Sequence, residues 1–256
     1  MLLAIDAGNT NTVFALFDGA VMRGVWRSDT KAQRTGDEYA VFLHALMQEK
    51  GLDPKDITAA ILGSVVPEAN FNLVKLCREH FGCELRCVGT ADIDPGIQIL
   101  LDRPEEIGAD RIINAVGGLA GHKPPLLIVD FGTATTFDVV DGDGNYIGGV
   151  IAPGIQLSLR ALHMAAAKLP RIDVAPSKRV IGKNTQEAVQ SGIYWGYVGL
   201  IDGLITRIKA EHGQPMTVLA TGGLAALFRS VLPAIQHHDP DLTLKGLRLL
   251  HERNCD

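Results

Sequence analysis

The chain has 256 residues, 46% of them apolar, and a formal net charge of −5. That length supports a large core in one domain or two. No basic stretch exceeds Ser177-Lys178-Arg179, so the concentrated positive face of a nucleic-acid binder is missing. No basic leader precedes the first apolar run and no uncharged run is long enough to span a bilayer, so a cytoplasmic protein without membrane association is expected.

Leu2–Ile5 reads as a first strand, Thr12–Phe17 as a second and Val21–Trp26 as a third, the last two joined by a hairpin turn at Asp18-Gly19. Thr35–Lys50 spaces Tyr39, Phe42, Leu43, Leu46 and Met47 as one helical face, and Gly51 stops it. Strand Ala59–Leu62, a helix from about Asn70 to His80 and strand Glu84–Val88 follow. Cys77, Cys83, Cys87 and Cys255 form no C-x-x-C pair, which favours free thiols over a zinc site or a disulfide framework. Residues 94–104 read as a loop with extended character, and Ala109–Ala120 as a helix opening after Gly108.

A domain boundary is expected at Gly121–Pro125, dividing an N-terminal lobe, 1–121, from a C-terminal lobe, 122–256. The second lobe opens with strand Leu126–Val129, strand Thr135–Val140, a turn at 141–145 and strand Tyr146–Ile151. A helix after Gly154 is expected to run to about Leu169. Thr185–Glu211 reads as a long helix with a break near Gly199. Strand Met216–Ala220, the turn Thr221-Gly222-Gly223, helix Ala225–Leu232 and an amphipathic run Asp241–Leu250 close the chain. The pair His237-His238 reads as a solvated helix end. Interleaved strands and helices throughout indicate the α/β class.

Five identical residues recur at one offset in the two halves: Leu2/Leu126, Leu3/Leu127, Asp6/Asp130, Gly8/Gly132 and Thr12/Thr136. Each copy is an apolar strand ending in Asp-x-Gly and a tail of hydroxyls or amides, as in a duplicated two-lobed protein. At the first corner Gly8 lacks a Cβ, so backbone N–H groups can approach an anion, and Asn9, Thr10, Asn11 and Thr12 add donors. An aspartate beside a phosphate repels it unless a cation intervenes, so Asp6 implies a bound metal as well as a nucleotide. An ordinary hairpin with Asx-type hydrogen bonds is the alternative, and the second copy weighs against it. That copy, Asp130 to Thr136, offers a glycine and three threonines. There is no G-x-x-x-x-G-K-[ST] loop and no G-x-G-x-x-G after a strand. Thr221-Gly222-Gly223 reads on its own as a strand-to-helix connection, and alternatively as bare backbone for a flat ligand such as adenine. Asp110 and Arg111 open a helix; Asp110 reads either as a cap favoured by the helix dipole or as the carboxylate a phosphoryl transfer needs beside its acceptor hydroxyl, with Arg111 as a cation for an anionic substrate.

Taken in order, these motifs resemble the duplicated actin, hexokinase and Hsp70 ATPase superfamily. More narrowly, Asp6-Ala7-Gly8-Asn9-Thr10-Asn11-Thr12, Gly108-Ala109-Asp110-Arg111-Ile112-Ile113-Asn114-Ala115, Asp130 to Thr136, Gly148 to Gly154, Asn184-Thr185, Gly192, Thr221-Gly222-Gly223 and Leu242–Asn254 are similar to the type III pantothenate kinases, over essentially the whole chain. The resemblance implies two similar lobes, each a mixed sheet flanked by helices, with a cleft between them. It implies transfer of the γ-phosphate of ATP to the primary hydroxyl of pantothenate, the first step of coenzyme A synthesis. Asp6, Ala7, Gly8, Asn9, Thr10, Asn11, Thr12 and Val13 then match the stretch that binds ATP phosphate and Mg2+, with Asp6 reaching the metal directly or through water. Thr133 matches a further nucleotide contact, and Gly222 and Gly223 take the adenosine. Gly108, Ala109, Asp110 and Arg111 match the pantothenate-binding stretch, with Asp110 as proton acceptor. Asp130 matches the ligand of an activating monovalent cation, K+ or NH4+. Thr185 matches a threonine that reaches pantothenate from the partner subunit of a homodimer. Leu101 stands where many members carry a pantothenate-contacting tyrosine, a departure from the pattern. The competing classes are another kinase of the superfamily, acting on a sugar or acetate, and a non-catalytic ATP-binding regulator.

Overall fold

A computed structural model describes residues 1–166 and 169–255, which divide into two compact units. The first comprises residues 1–98, 102–120 and Leu242 onward. Its strands are β1 (Leu2–Ala7), β2 (Asn11–Asp18), β3 (Val21–Asp29), β4 (Ala59–Ser64) and β5 (Leu85–Cys87), and its helices α1 (Gly36–Glu49), α2 (Pro67–Lys75) and α3 (Ala109–Gly121). The sheet order is β3-β2-β1-β4-β5, with β1 antiparallel to β2 and parallel to β4. Strand β1 reads as an unbroken apolar run because it is central and covered on both faces. Leu3, Ile5 and Ala7 join the core under α1, while Leu2 and Ala4 join Ala109, Ile113, Leu244 and Leu247 on the other face. The edge strand β3 alternates instead between covered and open positions.

The second unit comprises Ile99–Leu101 and Gly121–Asp241. It contains β6 (Leu126–Phe131), β7 (Ala134–Val140), β8 (Tyr146–Pro153), α4 (Ile155–Ala165), α5 (Thr185–His212), β9 (Thr217–Thr221), α6 (Ala225–Phe228) and β10 (His237–His238). Its sheet order, β10-β9-β6-β7-β8, repeats that of the first sheet element for element, with β6 antiparallel to β7 and parallel to β9. The expected duplicated fold of two mixed sheets flanked by helices is therefore present.

Register refines the sequence repeat. In the first unit Ala7 pairs with Thr12 and Asp6 with Val13; in the second, Phe131 pairs with Thr135 and Asp130 with Thr136. The second corner is thus one residue shorter. The structural counterpart of Thr12 is Thr135, not the Thr136 that the constant offset indicated, and both Thr12 and Thr135 are buried.

Other elements differ from expectation for identifiable reasons. Helix α5 is continuous through Gly199, where nothing crowds the backbone. The helix after Gly154 ends at Ala165, and positions 167 and 168 of its expected extension lie outside the described residues. Helix α6 is four residues rather than eight. His237-His238 forms a short parallel edge strand on β9 rather than a helix end, because periodicity cannot register two residues. The closing helix α7 (Leu242–Arg253) packs in the first unit, against β1 and β4, rather than with the lobe that precedes it in sequence.

Glycines set the close seating of α3 between β4 and α7. A Cβ on Gly63 of β4 would fall 2.3 Å from Ile113 Cδ1, and one on Gly246 of α7 would fall 2.2 Å from the Ile113 carbonyl oxygen. A Cβ on Gly117 would fall 2.7 Å from the carbonyl oxygen of Leu242. Gly246→Ala therefore lowers stability by about 1–3 kcal/mol, since backbone must move. Gly63→Ala costs less, because the tip of Ile113 can rotate. Urea unfolding followed by circular dichroism checks both; a Gly246→Ala protein as stable as wild type contradicts this seating.

Candidate active site

Alternation along β1 decides where Asp6 points. Leu2 and Ala4 face α3 and α7, so Asp6, two residues on, faces the same way at the carboxyl end of the strand. Asp6 pairs with Gly63, the residue on which Ile113 rests. Asp110 lies one turn before Ile113 on α3. The structure thus brings the first corner and Gly108 to Arg111 onto one face of one sheet.

The corner itself is tight. Gly8 N donates to the carbonyl of Asn11 at 3.0 Å, and a Cβ on Gly8 would lie 3.3 Å from that oxygen. Asn9, Thr10 and Asn11 are exposed, Ala7 and Thr12 buried, and Val13 half-buried. Around Asp110 the backbone makes specific room. A Cβ on Gly108 would fall 2.5 Å from Asp110 Oδ1, the same oxygen that accepts from the backbone N–H of Arg111 at 2.9 Å. Burial holds the Asp110 carboxyl above the ordinary carboxylate range, opposed in part by the Arg111 backbone bond and the Arg111 charge. A desolvated carboxylate at a helix start is a stronger base than one in water. One turn further on, buried Asn114 accepts from Thr243 Oγ1 of α7 at 2.7 Å, a second tie holding α3.

In the second unit Asp130 is the penultimate residue of β6, with Gly222 pressed against it. Gly222 has φ +91°, and a Cβ there would fall 2.4 Å from Asp130 Oδ1 and 2.6 Å from Phe131 N. Only glycine permits this approach. Thr133 is half-buried in the corner, its carbonyl accepting from Gly154 N at 3.2 Å, and Gly223 is exposed. Thr221 is the β9 partner of Asp130. The donors gathered here, like those of the first corner, are oxygens and amides, the set that suits hard cations and phosphates.

Thr185 begins α5, exposed, behind an Asn184 cap whose Oδ1 accepts from Glu187 N at 2.9 Å. Leu101 is half-buried in the short segment that joins β8, where Leu100 N donates to the Tyr146 carbonyl at 2.8 Å. It belongs to the second unit, whereas Gly108 to Arg111 belong to the first.

Sequence reasoning passed over several residues that shape these corners. Thr30 contacts the first corner three ways. Tyr197 of α5 hydrogen-bonds Thr135 Oγ1, and its phenol is pushed up to about 12 by burial, with a further contribution from the charge of Asp130. Asp138 is fully buried, accepting from Tyr146 at 2.9 Å and from Thr136, the register partner of Asp130, at 3.0 Å. A carboxylate inside the apolar run Phe137–Val140 was a readable signal, since buried charges are kept only when paired. Thr30 and Tyr197 carried none, because their partners are distant in sequence.

Comparison with known proteins shows the family and the fold. Residues 2–207 match the profile of the type III pantothenate kinase family. A type III pantothenate kinase of Paramagnetospirillum magneticum is 59% identical over 99% of this chain and 98% of its own length. Another, from Rhodospirillum rubrum, is 58% identical over 99% of each chain. Among solved structures, a proposed 2-dehydro-3-deoxygalactonokinase of Sinorhizobium meliloti shares the fold at a TM-score of 0.65 and 10% identity, covering 99% of each chain. The ethanolamine utilization protein EutJ of Carboxydothermus hydrogenoformans does so at 0.55 and 16%, over 97% of this chain and 89% of that one.

The upward displacement of Asp110 has a stability consequence. In the unfolded chain its carboxyl ionises in the ordinary range, whereas in the fold burial delays ionisation to higher pH. Ionised Asp110 therefore costs stability, fully above the folded value and not at all below the unfolded one. Asn at this position keeps an oxygen for Arg111 N and carries no charge. Asp110→Asn is expected to melt above wild type at neutral pH, with the gap narrowing toward about pH 4. Thermal melts across that range check it, and a variant less stable at neutral pH contradicts it.

Proposed function

The chain belongs to the type III pantothenate kinase family, and from that premise we propose how its own residues phosphorylate pantothenate with ATP, the first step of coenzyme A synthesis. The observation that carries the assignment of roles is the desolvated carboxylate of Asp110, seated by Gly108 on the sheet face from which Asp6 emerges.

Asp110 accepts a hydrogen bond from the primary hydroxyl of pantothenate and takes its proton as the oxygen bonds to the γ-phosphorus. ADP leaves with the electron pair of the broken bond. Arg111 holds the anionic substrate next to this base. Phosphoryl transfer has a loose transition state, so positioning and charge neutralisation supply most of the acceleration. Within the corner Gly8 to Thr12, the exposed amides and side chains of Asn9 to Asn11 bind ATP phosphate while Gly8 and buried Thr12 shape the turn, and Gly222 and Gly223 offer bare backbone to the adenosine, with Thr133 as a further nucleotide contact.

Kinases of this kind use ATP with a divalent metal, and the first corner fits Mg2+. Asp6 is a half-buried carboxylate at a strand end, followed by exposed oxygen donors. Asp6 would hold the ion directly or through water, and when bound it neutralises phosphate charge. Asp130 fits a monovalent cation, K+ or NH4+. The space a Cβ on Gly222 would fill adjoins its Oδ1, and its two strand partners, Thr136 and Thr221, are threonines. A large, weakly hydrated cation suits such a set better than Mg2+ does.

A homodimer with a shared site completes the proposal. In the second unit the large apolar side chains Ile151, Leu157, Met164, Val180 and Ile181 are all exposed, and a second copy would cover them. Thr185, near the end of this segment, would reach pantothenate bound to the partner, and Leu101 would offer it an apolar contact in place of a tyrosine.

A coupled assay of ATP consumption tests the substrate. Turnover is expected with pantothenate and not with N-acetylated sugars or acetate; the reverse pattern overturns the assignment. Asp110→Asn is expected to lose at least ~100-fold in kcat while retaining ATP affinity. Gly108→Ala is expected to fold normally yet lose turnover, because only the Asp110 carboxylate must move. Mixed dimers of Asp110→Asn and Thr185→Ala chains are expected to recover part of the activity that each homodimer lacks, and no recovery argues for a self-contained protomer.

A further inference from the structure

We propose that Thr30, which follows β3, is a positioning residue that sets the phosphate-binding amides of the first corner. The proposal rests on the reading of that corner as the ATP phosphate site. Thr30 Oγ1 donates to the Gly8 carbonyl at 2.7 Å and lies 2.9 Å from Thr12 Oγ1, while its backbone N–H donates to the Thr10 carbonyl at 2.9 Å. Two carbonyls of the corner are thereby drawn toward one residue. These peptides are trans, so each N–H points opposite to the preceding carbonyl. Holding the Gly8 carbonyl turns the Asn9 N–H away from Thr30, and holding the Thr10 carbonyl does the same for Asn11. Two amides, in a stretch exposed to solvent, are aimed by one threonine. Such aligned N–H groups form an anion-binding concavity.

The duplicated half provides an internal comparison. Gly154 follows β8 as Thr30 follows β3, and it too donates its N–H to a corner carbonyl, that of Thr133. A Cβ on Gly154 would fall 2.3 Å from the Thr133 oxygen and 2.7 Å from that of Gly132. The shorter corner thus occupies the space that the Thr30 side chain fills in the longer one. The equivalent threonines diverge in step: Thr12 faces Thr30, whereas Thr135 hydrogen-bonds Tyr197. The backbone bond is common to both halves, and the hydroxyl clamp belongs to the first corner.

The test compares Thr30→Val, Thr30→Ala and Thr30→Ser with wild type, measuring KM for ATP, KM for pantothenate, thermal stability and direct ATP binding by calorimetry. Loss of the hydroxyl in Val and Ala is expected to raise KM for ATP about fivefold or more, leaving KM for pantothenate unchanged. Serine restores the hydroxyl and is expected to bring KM for ATP back to within about twofold of wild type. Wild-type ATP affinity in a folded Val or Ala variant overturns the proposal. So does a fall in stability with equal change in both KM values, which marks a structural role alone. Direct ATP binding keeps the two readings apart: weakened binding in Val and Ala supports the clamp even if the wild type fails to phosphorylate pantothenate.

Discussion

The seating of α3 against β4 and α7 is the constraint on which the first unit's chemistry depends. Gly63 and Gly246 let Ile113 approach backbone on both sides, closer than any larger residue allows. Thr243 ties Asn114 to the same arrangement. Because α3 is fixed in this way, its first turn is fixed as well, and with it Asp110. In the proposed mechanism this matters, because a base held on rigid, well-packed elements loses little to reorganisation when it acts. Burial holds this carboxyl above the ordinary range at a cost in stability, and the proposed mechanism uses the basicity that results.

Duplication supplies the second theme. Both sheets have the same strand order, and both carry an Asp-x-Gly corner at the carboxyl end of the central strand. The corners have nevertheless separated in their details. One is longer, with exposed amide and hydroxyl side chains and a threonine behind it. The other is shorter, backed by glycine and tyrosine, with Gly222 closed on its carboxylate. One strand order thus carries two chemically different oxygen-rich corners.

Much of this was legible in the sequence, for definable reasons. The corner motifs are short and local, so Asp6, Gly8, Asp130 and Gly132 stand out within a few residues. The central strands read clearly because they are covered on both faces. Asp110 was marked by its place at a helix start beside glycine. What escaped depends on contacts far apart in the chain. The position of α7 in the first unit follows from Leu244 and Leu247 meeting Ile113, and no window contains both. The slip from Thr136 to Thr135 is a matter of register, invisible to an alignment at constant offset. Thr30 is an unremarkable threonine until Gly8 and Thr12 lie beside it.

The central claim is that the carboxylate activating the acceptor hydroxyl is Asp110 in its buried setting. The most direct measurement is the pH dependence of kcat/KM for pantothenate in the wild-type enzyme. The structure predicts an acid limb governed by one ionisation lying above the ordinary carboxylate value of about 4. A limb at that ordinary value, or a rate indifferent to pH across the range, would contradict it.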